Sequence, residues 1–345
     1  MRLNIAWRVL AATVGLAFSS GAALAEGAGI DHLAYIRPGE LVAIDGARRL
    51  NLVCMGMGAP TVILEAGAGD GSWAWRKVQP ELAKSTRVCA YDRAGYGFSD
   101  PITRPADADN AVDDLSKLLS KAGLGDQIIL VGHSVGGLYA ELFAARHPDQ
   151  VAGLVLVDPT GLEDFRLVRE MLTDAEHAQQ HQAHQKRLAS YRSCLELTHA
   201  ATEAALLPAS CKATPAGDLA LDGERARQMS QPKYWAAFQS EMTNFWPANH
   251  PGGDDSVITR QVRAQALVLG PTPLIVLKSP GRVPPGERGE RLRADSTAAA
   301  ERLAATSSRG KLIQVEAGHY IQIDRPDAVI DAVREVLGDV AVSRR

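Results

Sequence analysis

The stretch Gly132-His133-Ser134-Val135-Gly136-Gly137 sets a serine among glycines, after the apolar run 128–131 and before a helix-like segment, 138–146. This pattern reads as a buried strand turning sharply into a helix, with the serine at the apex. Positions two before and two after such a serine crowd each other, and Gly132 and Gly136 leave out the side chains that would clash. The following helix aims its positive N-terminal end at the serine, where an oxyanion is welcome. The chemistry on offer is nucleophilic attack. The alternative is a glycine-rich turn of any parallel sheet with a bystander serine, so the rest of the chain has to supply the partners.

A serine attacks only when a base takes its proton, a third group orients that base, and donors receive the oxyanion. Nine histidines compete to be the base. His133 adjoins Ser134 and points away from it. His147 reads as a helix end, His32 precedes the sheet, and His177, His181, His184, His199 and His250 fall in a polar insertion. His319 alone follows directly on a strand, at the edge where parallel sheets place their sites. His177, His181 and His184 share one helix face, but the Glu and Gln residues around them read as a polar surface and no metal is expected there.

The elements that must position these residues follow an alternating order. Segments 39–45 and 49–55 read as a hairpin turning at Asp45-Gly46, and 61–65 as a third strand ending in the glycine-rich loop 66–72. A helix is expected over 75–84 and a fourth strand over 87–91, ending in a second such loop, 92–100. Helix 110–122 precedes the serine strand, and strand 151–157 ends at Asp158-Pro159. The sheet resumes at 272–277, followed by a helix at 295–305, a last strand at 311–316 and a terminal helix at 326–337. Apolar strands alternating with helices imply a mostly parallel sheet covered on both faces. Residues 160–263 break the rhythm and read as a mainly helical lobe. Its aromatic residues Tyr234, Trp235, Phe238, Phe245 and Trp246 form either lobe core or a pocket wall.

Residues 1–25 read as an export signal: Arg2 and Arg8, an apolar run over 9–18, and Ala23-Leu24-Ala25 as the cleavage site. Cleavage leaves enough chain for one large α/β domain with an inserted lobe, or for two small domains. The product is expected in the periplasm or outside the cell, with no stable membrane insertion. A net charge of −3 without long single-sign blocks argues against nucleic acid as a partner. An oxidising compartment favours pairing of the four cysteines. Cys194 and Cys211 look like a local staple, while Cys54 and Cys89, in two expected strands, either bridge or remain buried thiols.

Three motifs in this order, Tyr91-Asp92-Arg93-Ala94-Gly95-Tyr96-Gly97, the Ser134 turn and Ala317-Gly318-His319, resemble the α/β-hydrolase superfamily over residues 39–337 apart from the lobe. The resemblance implies an eight-stranded, mostly parallel sheet, with a core of residues 26–159 and 264–345 and a cap over 160–263 inserted after the sixth strand. It also implies a Ser134 nucleophile, a His319 base, and adjacent second and fourth strands that bring Cys54 to Cys89. Where the family often has His-Gly after the third strand, this chain has Glu65-Ala66-Gly67-Ala68, so the oxyanion donors are expected to be the amides of Ala68 and Val135. The family's usual acid follows the strand at 273–277, but Lys278-Ser279-Pro280-Gly281-Arg282 has no carboxylate. Some relatives carry the acid one strand earlier, where this chain has Asp158; Glu287 and Asp295 are the alternatives. Asp92 and Arg93, at the end of the fourth strand, either touch substrate or, as is expected here, make a structural contact with neighbouring loops. No phosphate- or dinucleotide-binding glycine motif is present and no cofactor is implied. The expected activity is hydrolysis of a small-molecule ester through an acyl-enzyme. A peptidase, amidase or lactonase on the same residues, or a non-catalytic ligand-binding member of the fold, are the alternatives, and oligomeric state is not readable.

Overall fold

The computed structural model describes residues 32–200, 207–247, 255–281 and 285–343; the expected export signal and His250 lie outside them. Eight strands make one sheet: β1 Glu40–Asp45, β2 Arg48–Met55, β3 Val62–Glu65, β4 Val88–Asp92, β5 Ile128–His133, β6 Val151–Val157, β7 Leu274–Lys278 and β8 Gly310–Gln314. Their order is β1-β2-β4-β3-β5-β6-β7-β8. β2 runs antiparallel to both neighbours and every other pairing is parallel. The helices are α1 Gln79–Leu82, α2 Ala108–Lys121, α3 Val135–Arg146, α4 Asp164–Met171, α5 Asp174–Ala200, α6 Leu219–Met229, α7 Pro232–Phe245, α8 Val257–Arg263, α9 Glu287–Ala304, α10 Ile321–Asp324 and α11 Pro326–Ser343.

Central strands are buried on both faces because their side chains alternate between two apolar layers. Ile128 and Leu130 of β5 join α2, α3, α8 and α9 on one side. Ile129 and Val131 join α1, α10 and α11 on the other. The expected sheet, with helices on both faces, is therefore what forms.

Two expected helices differ. Residues 75–84 split into a short 3-10 turn, Ser72–Trp75, and α1. Pro80 is the reason: it lacks an N–H and is tolerated only in a helix's first turn. The helix expected at 295–305 begins at Glu287, its early turns hidden in sequence by charged residues that face solvent. Cys54 and Cys89 face each other across β2 and β4 and are bonded. Cys194 of α5 is bonded to Cys211, and together with Trp235 of α7 they form a separate apolar cluster among the helices between β6 and β7.

Candidate active site

Ser134 sits between β5 and α3 with φ 56° and ψ −124°, a strained backbone for a residue with a side chain. The crowding around it is severe. A Cβ on Gly132 would lie 2.5 Å from Gly136 O, and one on Gly136 would lie 2.5 Å from Ala66 O. Glycine is required at both positions, and the turn thrusts Ser134 out at the C-terminal edge of the sheet.

Two loops bring partners to it. His319, after β8, places Nε2 3.0 Å from Ser134 Oγ. Its Nδ1 lies 2.6 Å from Asp158 Oδ2. A carboxylate only accepts, so the imidazole proton belongs on Nδ1, and Nε2 is left to accept from the serine hydroxyl.

Asp158 ends β6 with φ 40°. Ser279 donates to it twice, from its N–H at 3.0 Å and its Oγ at 2.9 Å. Lys278 Nζ stands 3.6 Å away. Burial pushes this carboxyl up, but the hydrogen bond from His319, the Lys278 charge and the Ser279 amide outweigh it and hold Asp158 below the usual carboxylate range. Ser279 follows the strand where the family's acid more often stands; here that position donates to the Asp158 carboxylate instead.

The alternative acids are elsewhere. Glu287 is exposed in the first turn of α9, and Asp295 faces Arg291 at 3.7 Å on the same helix. Among the described residues Asp158 is the carboxylate on His319.

His133 does point away from Ser134, yet it is part of the same cluster, which adjacency in sequence alone did not reveal. Its Nε2–H donates to the carbonyl of His319 at 3.0 Å, and the two rings are 4.8 Å apart. Burial, and secondarily the His319 charge, push His133 down to about 3, so it is neutral beside His319.

The 66–69 loop crosses directly over the serine: a Cβ on Gly67 would lie 3.4 Å from Ser134 Cβ. Among the described residues no acceptor takes the Ala68 or the Val135 N–H. Both amides are free to receive a developing oxyanion. Asp92 braces this region by accepting from Ser72 N–H at 2.6 Å, Asn51 Nδ2 at 2.8 Å and Phe98 N–H at 3.0 Å. Arg93, also buried, donates to the carbonyls of Ala66 at 2.6 Å and Gly67 at 2.7 Å.

A cavity of 920 Å³ opens beside His319 and Asp158, walled also by Asp70, Arg76, Arg225 and Tyr320. A second, of 220 Å³, shares Asp70, Arg225 and Tyr320 and reaches Ala68. Burial raises the Asp70 carboxyl to about 6. The aromatic residues of the inserted helices divide between the two roles considered for them. Tyr234 and Phe238 line the second cavity, Trp235 is core, and Trp246 stacks on His184 with ring centroids 4.0 Å apart. Among the described residues no three metal-ligating side chains gather, and no helix is long and apolar enough to cross a membrane.

Comparison with known proteins agrees with this fold. The family model for the alpha/beta hydrolase fold matches residues 60–326. A 2-hydroxymuconate semialdehyde hydrolase from Pseudomonas sp. (strain CF600) is 43% identical over 120 residues, 33% of this chain and 41% of that protein. Lipase LipV from Mycobacterium tuberculosis is 36% identical over 115 residues, 33% of this chain and 43% of that one. The chain thus aligns with less than half the length of each. Among solved structures, a thermophilic esterase from Thermogutta terrifontis (malate bound) superposes with a TM-score of 0.56 at 21% identity, covering 88% of this chain and 99% of that one. That likeness speaks to the fold.

Proposed function

The chain belongs to the α/β-hydrolase family, and from that premise we propose that it is a serine hydrolase acting on a small-molecule ester through an acyl-enzyme. One observation carries the reading: Ser134 Oγ, His319 and Asp158 lie in hydrogen-bonded series at 3.0 and 2.6 Å beside two unpaired amides. Ser134 Oγ attacks the substrate carbonyl as its proton passes to His319 Nε2, and Asp158 stabilises the imidazolium. The amides of Ala68 and Val135 take the oxyanion. The tetrahedral adduct collapses as His319 returns the proton to the leaving oxygen, and a water repeats the sequence to free the acid.

We assign the helices between β6 and β7 as a cap that encloses the substrate. The two disulfides support an oxidising compartment, in keeping with export. An ester is preferred to an amide because, among the described residues, the cavity linings show no group dedicated to a peptide backbone. The test is a panel of p-nitrophenyl esters of rising acyl length against the matching anilides. Esters turning over at least about 10²-fold faster are expected, and anilides turning over as fast would reverse the assignment.

A further inference from the structure

Glu241 is a carboxylate on the apolar face of α7, one turn from Phe238 and Phe245, and only 1% of it is exposed. A buried carboxylate has to be paired, and this one is paired four times. It accepts from Tyr96 OH at 2.7 Å, Arg93 Nη2 at 2.9 Å, Tyr139 OH at 3.1 Å and the N–H of Gly69 at 3.1 Å. Arg93 in turn spans Glu241 and Glu65, which it meets at 2.7 Å, and holds the Ala66 and Gly67 carbonyls. Ala68 is therefore gripped from both sides: on one by Arg93 through the two preceding carbonyls, on the other by Glu241 through the following amide.

The approach of α7 is also close. A Cβ on Gly69, whose φ is +73°, would lie 2.9 Å from the Phe238 ring and 3.1 Å from Tyr234 OH. Other anchors of α7 are separate, among them Ser240 and Asn244, which meet Ala106. Lys233 Nζ donates to Gly97 O at 2.9 Å and Ser99 O at 2.7 Å without touching the 66–69 loop.

We infer that Glu241, acting with Arg93, is a positioning residue that aims the Ala68 N–H at the oxyanion, so that seating α7 and forming the oxyanion hole are one event. This rests on the acyl-transfer reading above. The carboxylate does not reach the reacting atoms. It sets the direction of a peptide unit whose N–H has no acceptor among the described residues, and an error of about 1 Å at a reacting centre costs on the order of 10²-fold in rate.

The experiment compares wild type, Glu241→Ala, Glu241→Gln and Lys233→Met on one p-nitrophenyl ester, with kcat expressed per Ser134 site titrated to completion by a fluorophosphonate. A trifluoromethyl ketone, whose adduct with Ser134 carries the oxyanion, supplies a Ki. Glu241→Ala is expected to lower kcat per site between about 10- and 100-fold with KM within about threefold, and to raise Ki by the same factor as kcat/KM falls. Glu241→Gln can still accept from Gly69 but loses the charge that holds Arg93. An approximately 10-fold loss is expected, and this variant decides the matter if the alanine form does not fold. Lys233→Met is expected to lower the melting temperature while leaving kcat per site within about twofold. A merely structural Glu241 would lower the melting temperature and the titratable fraction but leave kcat per site and Ki unchanged, which overturns the inference. If wild type shows no Ser134 labelling, the acyl-transfer reading falls and this inference with it. If wild type labels and both Glu241 variants keep full kcat and Ki, only the inference falls.

Discussion

Changing Asp158 to asparagine removes one charge and almost no volume, and the surrounding contacts dictate how the amide must sit. The Ser279 N–H that meets Asp158 Oδ1 at 3.0 Å is a backbone donor and cannot turn, so the asparagine oxygen has to occupy that side. Its NH₂ then takes the place of Oδ2, 2.6 Å from His319 Nδ1, while the Ser279 hydroxyl can rotate to accept. An amide donating to Nδ1 forces the imidazole proton onto Nε2, the nitrogen facing Ser134 Oγ at 3.0 Å. The base is then in place but in the wrong tautomer, and the imidazolium has lost its counter-charge. The loss expected for that state is ~10⁴-fold in kcat, about 5 kcal/mol at 1.36 kcal/mol per decade. Steady-state hydrolysis of a p-nitrophenyl ester at saturation measures it, beside Glu287→Gln and Asp295→Asn, which should stay within about twofold of wild type. Retention of more than about a tenth of wild-type kcat by Asp158→Asn would refute the tautomer argument. A comparable collapse in either α9 variant would move the acid there.

Two other perturbations follow from the fold. Glu141 of α3 is buried, and its Oε1 has no partner among the described residues. Burial, with a smaller push from Asp164, raises its carboxyl from 4.5 to about 8. The stability tied to this proton is therefore complete below pH 4.5, drains as the pH climbs and is gone above about 8. Urea titrations at intervals from about pH 5 to 8 should show Glu141→Gln flattening a decline that approaches 1.4 kcal/mol per pH unit, and an unchanged slope would contradict the burial argument. Removing the Cys54–Cys89 bond, which spans 35 residues, should cost about 4 kcal/mol, and removing Cys194–Cys211, which spans 17, about 3. Paired serine variants in thermal unfolding check both, and two indifferent melting temperatures would mean the closed loops are already constrained when unfolded.

What could be read from the chain was whatever chemistry writes locally. The run ending at Gly132, with Ser134 and Gly136 beyond it, encodes strand, turn and helix within a few residues, because steric crowding at that turn tolerates so few side chains. His319 was readable by its place directly after a strand. Cys54 and Cys89 were ambiguous until strand order placed them opposite each other. Ser279 could not be seen as a brace, since nothing local distinguishes a serine donating to Asp158, 121 residues away, from any loop serine. His133 reads as no base because it adjoins Ser134, and its bond to the His319 carbonyl depends on two strand ends converging. Glu241 left one unused clue, a charged residue among aromatics at helical spacing. The partner that explains it, Arg93, stands 148 positions earlier in a loop the α7 helix reaches only on folding.

The central claim is that Ser134 is an activated nucleophile. Incubating the protein with a biotinylated fluorophosphonate and mapping the adduct by peptide mass spectrometry tests this most directly. The account predicts stoichiometric modification at Ser134, abolished in Ser134→Ala and slowed at least about 10²-fold in His319→Ala. No adduct on the folded wild-type protein, or equal labelling of the Ser134→Ala variant, would contradict it.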